Sequence, residues 1–181
     1  VIFYPLNNQL EIDPDKLPMQ NDEKAAIMLI NYFGLKNLSK QASFVHGISK
    51  NVVVIEDDVQ AFYEFYKLDL TADYKFTSLR KTFACPDGGI VKTNNELTEV
   101  SNTNKFHQYK LAGSILKSLR KPEYYDDEVY LHLFEKGELQ IDDEIEKGMS
   151  EMSQEIIKKV DFQRIAYIRQ RNAKQIIDGL K

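Results

Sequence analysis

Two short segments of the sequence carry side chains whose types and order suggest chemistry. Glu56-Asp57-Asp58 follows the apolar run VVVI, and Ser78-Leu79-Arg80-Lys81 precedes Pro86-Asp87-Gly88-Gly89. An acid at the carboxyl end of a strand can hold a proton on a heteroaromatic nitrogen, and a lysine amine can bind an aldehyde as a Schiff base. An acid and a lysine in these positions are what pyridoxal 5'-phosphate chemistry requires.

The segments around these residues alternate between strand and helix patterns, which predicts an α/β fold with a mostly parallel sheet. Val52–Ile55 consists of β-branched residues in succession, which is typical of a strand covered on both faces. Ser39–Ser49 has the spacing of a helix, with Ser39 as its N-cap. The other predicted strands are Ile2–Leu6, Ala25–Tyr32, Tyr74–Ser78 and Gly89–Thr93. Asp57 is thereby predicted at the edge where open α/β sheets build their sites.

The sequence pattern from Asn104 onward predicts helices. Asn104–Leu119 has an apolar stripe that ends before Lys121-Pro122. Tyr124–Gly148 is interpreted as a helix, and Met152–Leu180 as one or two helices with a break near Asp161.

Composition excludes several classes of protein. With 43% hydrophobic and 29% charged residues and a net charge of −4, the chain is expected to form a core and not to bind nucleic acid. No apolar run has the length of a membrane span, and a single cysteine, Cys85, excludes an internal disulfide. The histidines His46, His107 and His132 lack metal-ligand spacing, so no metal site is predicted. A cytoplasmic location is the simplest expectation.

The two chemical segments resemble those of the DegT/DnrJ/StrS family of sugar aminotransferases, which are fold-type I pyridoxal phosphate enzymes. That family has a strand followed by Glu-Asp-x-x-Gln or Glu-Asp-x-x-His, a second strand leading to the Schiff-base lysine, and a Gly-Gly pair. The resemblance implies that Asp57 is the partner of the pyridinium nitrogen and that Gln60 lies against the cofactor ring. It implies that Lys81 binds the cofactor covalently and that Ser78 contacts its phosphate. Asp58 is expected to have no such role.

The resemblance extends beyond the motifs. Val1–Asp15 and Ala25–Gly34 are similar to successive parts of the family's large domain, and Met152–Leu180 to the helical stretch before its small C-terminal domain. This implies a three-layer sandwich in which residues 1–150 belong to the cofactor-binding large domain and residues 151–181 lead toward the small domain. Because the match covers about half of a large domain, the chain alone is expected to bind no cofactor tightly, to lack activity and to self-associate.

The implied activity is transfer of an amino group from a donor such as glutamate to a keto acceptor, which in this family is usually a nucleotide-linked sugar. Lys81 and Asp57 would be the catalytic residues. Related enzymes complete each site across a homodimer interface, so a homodimer is also implied.

Two other classes of function are compatible with parts of the sequence. VVVIEDD is similar to the first strand of a response-regulator receiver, but a receiver needs a phospho-accepting Asp where this chain has Leu97–His107, and that segment contains none. A catalytically inactive aminotransferase-like scaffold or dimerisation protein remains as an alternative.

Overall fold

The chain forms two compact units. The structure, a computed structural model, describes residues 1–18, 24–67, 70–100, 102–119, 127–144 and 146–180. The first unit comprises Val1–Phe83, Asp87–Asn102 and Glu146–Gly148, and the second comprises Ala84–Pro86, Thr103–Ile145 and Met149–Lys181. All the residues predicted to take part in chemistry belong to the first unit.

The first unit is built on a four-stranded sheet in the order β1-β2-β3-β4. The strands are β1 (Ala25–Ile30), β2 (Val52–Asp57), β3 (Tyr74–Ser78) and β4 (Gly89–Thr93). β1, β2 and β3 run parallel, whereas β4 pairs with β3 in the antiparallel sense. The prediction of an α/β chain with a mostly parallel sheet is therefore confirmed.

One face of the sheet carries the hydrophobic core. Helix α1 (Ser39–Ile48) connects β1 to β2 and packs its buried Ala42 and Val45 against this face. Leu29 and Val54, at alternate positions of their strands, point into the same cluster and are 2% and 0% exposed. Helix α2 (Phe62–Lys67) is in the segment that connects β2 to β3, and its Phe62 and Phe65 are also buried.

The opposite face, called the open face below, is apolar but largely exposed. Register places Ile30, Asp57, Phe76 and Val91 in one row across the four strands. Val53 is 37% exposed and Val91 49% exposed on this face. The sequence of β2 predicts that both of its faces are covered, but only one face is covered in the structure.

The connection from β3 to β4, residues 79–88, is closed at its base by a backbone hydrogen bond and leads into a glycine pair. Leu79 donates its N–H to the Gly88 carbonyl at 3.0 Å, which closes the loop at its base. Gly88 has a φ of 107°, and a Cβ on Gly89 would lie 2.9 Å from the Thr77 carbonyl oxygen. Glycine is therefore favoured at position 88 by its φ and at position 89 by the close carbonyl oxygen.

The second unit is helical in its described part. Its helices are α3 (His107–Leu119), α4 (Asp127–Leu139), α5 (Glu151–Lys158) and α6 (Phe162–Gly179). α3 packs on α4, where the buried Lys110 donates to the Phe134 carbonyl at 2.9 Å and pairs with Glu138. Asp161 is the N-cap of α6, which confirms the predicted break.

Two predictions about local structure are wrong. Ile2–Leu6 forms no strand, since Pro5 lacks a donor and only Leu6 makes a bridge, to Ile12. Ser39 is the first residue of α1 rather than its N-cap, and its N–H donates to the Asn37 side chain. The predicted Lys121-Pro122 break lies outside the described residues. None of the described helices combines the length and apolar character that crossing a bilayer requires.

Replacing Leu29 with Ala is expected to destabilise the first unit by about 2–5 kcal/mol, because it leaves a cavity against α1. Met28→Ala is the matched control, since Met28 is the preceding residue on the open face and is 46% exposed; it is expected to cost less than about 1 kcal/mol. Urea unfolding followed by circular dichroism measures both. Equal shifts of the two midpoints would contradict the assignment of the core to one face.

Candidate functional site

The four residues implied by the resemblance lie at one edge of the sheet. Asp57 is the last residue of β2, and Gln60 lies exposed in the turn after it. Ser78 is the last residue of the neighbouring parallel strand β3, and the exposed Lys81 ends the 3-10 turn that follows. Within the described chain, no hydrogen bond or ion pair joins any two of them. The fold gathers them at the carboxyl ends of β2 and β3 but does not preassemble a bonded site.

Asp57 is a half-buried acid on the apolar open face. Ile30 and Phe76 flank it in the neighbouring strands. Its Oδ1 accepts a hydrogen bond from the Val59 N–H at 2.9 Å, which holds the side chain over the turn. Because apolar side chains lie on both sides, the carboxylate is a suitable partner for a flat ring that carries a positive charge.

A cluster of charged side chains lies beneath Asp57 on the buried face. Lys75 of β3 lies 3.1 Å from Oε1 of Glu56 and 3.3 Å from Oδ2 of Asp58. Each of these three residues is at most 1% exposed. We call this set the buried triad.

Neighbouring strands hold the triad through hydrogen bonds. Asn31, after β1, donates its side-chain Nδ2 to Oδ1 of Asp58 at 2.9 Å and its backbone N–H to the Asp57 carbonyl at 2.9 Å. The Thr77 hydroxyl donates to the Asp58 carbonyl at 2.8 Å, and the Asp58 N–H donates to the Phe76 carbonyl at 2.8 Å. The segment 56–58 is thus fixed from both sides.

The triad contains two carboxyl groups and one amine. Burial favours the neutral form of a carboxyl group, so it raises the pKa values of these acids. Desolvation, followed by the negative charge of Asp58, raises the pKa of Glu56 to about 7, although Lys75 opposes the shift. Desolvation also raises the pKa of Asp58, while Lys75 and the amide of Asn31 act to lower it. Glu56 is therefore the group in the triad that exchanges a proton near neutral pH.

Sequence reasoning missed this cluster. The signal available was alternation: Glu56 and Asp58 lie on either side of Asp57 at the end of β2, and Lys75 lies in β3. Alternation predicts that Glu56 and Asp58 lie on the face opposite Asp57, but it does not identify that face as the buried one or pair the acids with Lys75.

An apolar groove of about 510 Å³ lies between the N-terminal segment and β1, and its lining includes Met28 and Ile30 of the open face. The Tyr4 hydroxyl donates to the Met28 carbonyl at 2.5 Å along its wall. Its lining combines aliphatic and aromatic side chains with two tyrosines, and it includes none of the four predicted site residues. A groove of this size can bind an apolar group, but it lacks the acid, base and nucleophile that catalysis needs.

The residues at the sheet edge fit pyridoxal phosphate in part. Asp57 offers an acid for the ring nitrogen, Lys81 an exposed amine and Ser78 a half-buried hydroxyl for a phosphate oxygen. In the described ranges, no group of three or more His, Cys, Asp or Glu is arranged to hold a metal ion. No protein-family profile, curated protein or solved structure matches this chain.

Glu56→Gln is expected to change how stability depends on pH. Because the folded-state pKa of Glu56 lies above the unfolded value, the native state retains a proton that the unfolded chain releases, and stability falls as pH rises toward about 7. Between mildly acidic and mildly alkaline pH, the free energy of unfolding of Glu56→Gln should rise relative to wild type by on the order of 2 kcal/mol.

Urea unfolding across this pH range measures the change, with the exposed Glu96→Gln as the control. Parallel pH profiles for wild type and Glu56→Gln would mean that the triad holds no such proton.

Proposed function

We propose that this chain carries the ring-binding and lysine-bearing part of a pyridoxal phosphate-dependent aminotransferase. The proposal includes the finer fold assignment, part of the three-layer large domain of a fold-type I enzyme similar to the DegT/DnrJ/StrS family. The observation that supports it most is the common location of Asp57, Ser78 and Lys81 at the carboxyl ends of two neighbouring parallel strands.

The electrostatics of the open face also support the proposal. Asp57 is the charged member of a row that otherwise contains Ile30, Phe76 and Val91. Apolar neighbours favour stacking of a flat ring, and the carboxylate favours a ring that carries a proton. The open face thus combines the contacts that a pyridinium ring needs.

Each residue has a defined role in the proposed reaction. When bound, pyridoxal phosphate supplies a ring that accepts electron density from the amino acid. Asp57 holds a proton on the ring nitrogen, which favours this electron demand. The Lys81 amine would hold the cofactor until the amine of the donor displaces it, and the released Lys81 amine would then move a proton at the donor α-carbon. Ser78 donates its hydroxyl to the phosphate, and Gln60 lies against the ring.

The substrates are proposed to be an amino donor such as glutamate and a keto acceptor of the nucleotide-linked sugar type. The identification of the acceptor as a nucleotide-linked sugar rests on the resemblance alone. A homodimer is part of the same proposal, and exposure of the open face supports it, because parallel sheets are generally covered on both sides.

Incubation with pyridoxal phosphate followed by borohydride should label Lys81 several-fold more than other exposed lysines. Reduction traps even a weakly populated adduct, so the experiment does not depend on tight binding. Peptide mapping measures the labelling, with exposed Lys40 and Lys50 as internal references. Asp57→Asn should lower the labelling at Lys81 and leave that at Lys50 unchanged. Labelling concentrated at Lys75 or Lys92, or spread evenly over exposed lysines, would refute the proposed site.

The chain is also expected to self-associate through the open face with a second copy of itself. Val53→Lys combined with Val91→Lys should shift the mass measured by light scattering toward the monomer, because each introduces a charge at an exposed apolar position. Leu97→Lys is the control, since Leu97 is 58% exposed and lies outside the sheet. A monomeric wild-type chain would contradict this expectation. A scaffold without catalysis would self-associate but would not show selective labelling of Lys81.

A further inference from the structure

The segment 56–58 places Asp57 between two side chains that point the opposite way. Glu56 and Asp58 face the buried side, where both pair with Lys75. Asp57 faces the open side because successive residues of a strand alternate between faces. Any movement of Glu56 or Asp58 therefore moves the backbone that carries Asp57.

Besides its pairing with Ile30 and Phe76 in the sheet, Asp57 is held by two further hydrogen bonds. Its carboxylate is held by the Val59 N–H, and its carbonyl by the Asn31 N–H. The flanking residues, in contrast, are tied by ion pairs and by hydrogen bonds from Asn31 and Thr77. The rigid part of this segment is the triad, and Asp57 takes its placement from it.

We propose that the buried triad of Lys75, Glu56 and Asp58 is a proton-linked positioning device for Asp57. These three are positioning residues, since they act on the site through Asp57. The role of Asp57 beside a cofactor rests on the proposed function. The link between the proton of the triad and the position of Asp57 can be tested without it.

The charge of the triad changes as Glu56 titrates. With Glu56 neutral, the positive charge of Lys75 is balanced by Asp58. With Glu56 ionised, the triad carries an extra negative charge directly behind Asp57. The groups around Glu56 are Asp58 from its own segment, Lys75 from β3 and the uncharged amide of Asn31 after β1. Lys92 of β4, next in the row after Lys75, is directed to the Phe65 carbonyl of α2 at 2.6 Å.

Ionisation of Glu56 should make the open face more attractive to a cation and should change the hydrogen bond between Asp57 and Val59. A purely structural ion cluster would stabilise the fold without coupling its proton to this hydrogen bond. The Val59 amide therefore distinguishes the two cases.

The test is a pH titration of the cofactor-free chain by nuclear magnetic resonance, which follows the Val59 amide and the Glu56 carboxyl carbon. Both signals should change with a common midpoint near pH 7. The Glu56→Gln variant should lose the change in the Val59 amide signal near neutral pH, here called the Val59 step. The control is Glu64→Gln, which replaces a half-buried acid of α2 and should retain the Val59 step.

Different midpoints for Val59 and Glu56 in the wild-type chain would overturn the proposal, and this comparison requires no variant to fold. Persistence of the Val59 step in Glu56→Gln would overturn it as well. No cofactor is present, so failure here is separate from failure of Lys81 trapping. A linked titration without selective Lys81 labelling would support the positioning device and refute the pyridoxal phosphate assignment.

Discussion

The interaction of Lys75 with Glu56 at the end of β2 and with Asp58 after it is the constraint around which the first unit is organised. A buried ammonium group with two buried carboxyl groups is stable only when all three stay together, because separating them leaves an uncompensated charge in the interior. Removing Lys75 alone would therefore cost about 3–5 kcal/mol. The pairing fixes β2 against β3 in the register Glu56 to Lys75, and this register also sets which face of the sheet receives Asp57.

The sheet separates two kinds of environment by the thickness of one strand. On one face, α1 packs against the core, and the triad is buried. On the other face, Asp57 lies among apolar neighbours and in contact with solvent. A single backbone segment thus carries a buried, hydrogen-bonded set of charges and an accessible acid, so the residues on either side of the accessible acid add to the hydrogen bonds that hold it directly.

Sequence patterns predicted the local elements well and the non-local arrangement poorly. The boundaries of β3 and β4 were predicted correctly, since Gly88-Gly89 and the alternation of Tyr74–Ser78 act over a few residues. The place of Asp57 at the carboxyl end of a strand followed from the parallel α/β pattern. The triad could not be predicted, because it depends on pairing of Glu56 with Lys75 across strands. The antiparallel direction of β4 and the exposure of Val53 likewise depend on what each element packs against.

The loop between β3 and β4 has a consequence for how this protein can change over evolution. Its two ends are adjacent in the ladder, where Ser78 pairs with Gly89, and Leu79 bonds to Gly88 within it. The cost of closing the loop is therefore met by the strands that it joins rather than by the residues at its tip. Lys81 lies exposed in this segment, whereas Leu79, Phe83 and Asp87 are buried and anchor it to the rest of the protein. Substitutions confined to the exposed positions can therefore create new specificities while the buried anchors preserve the architecture.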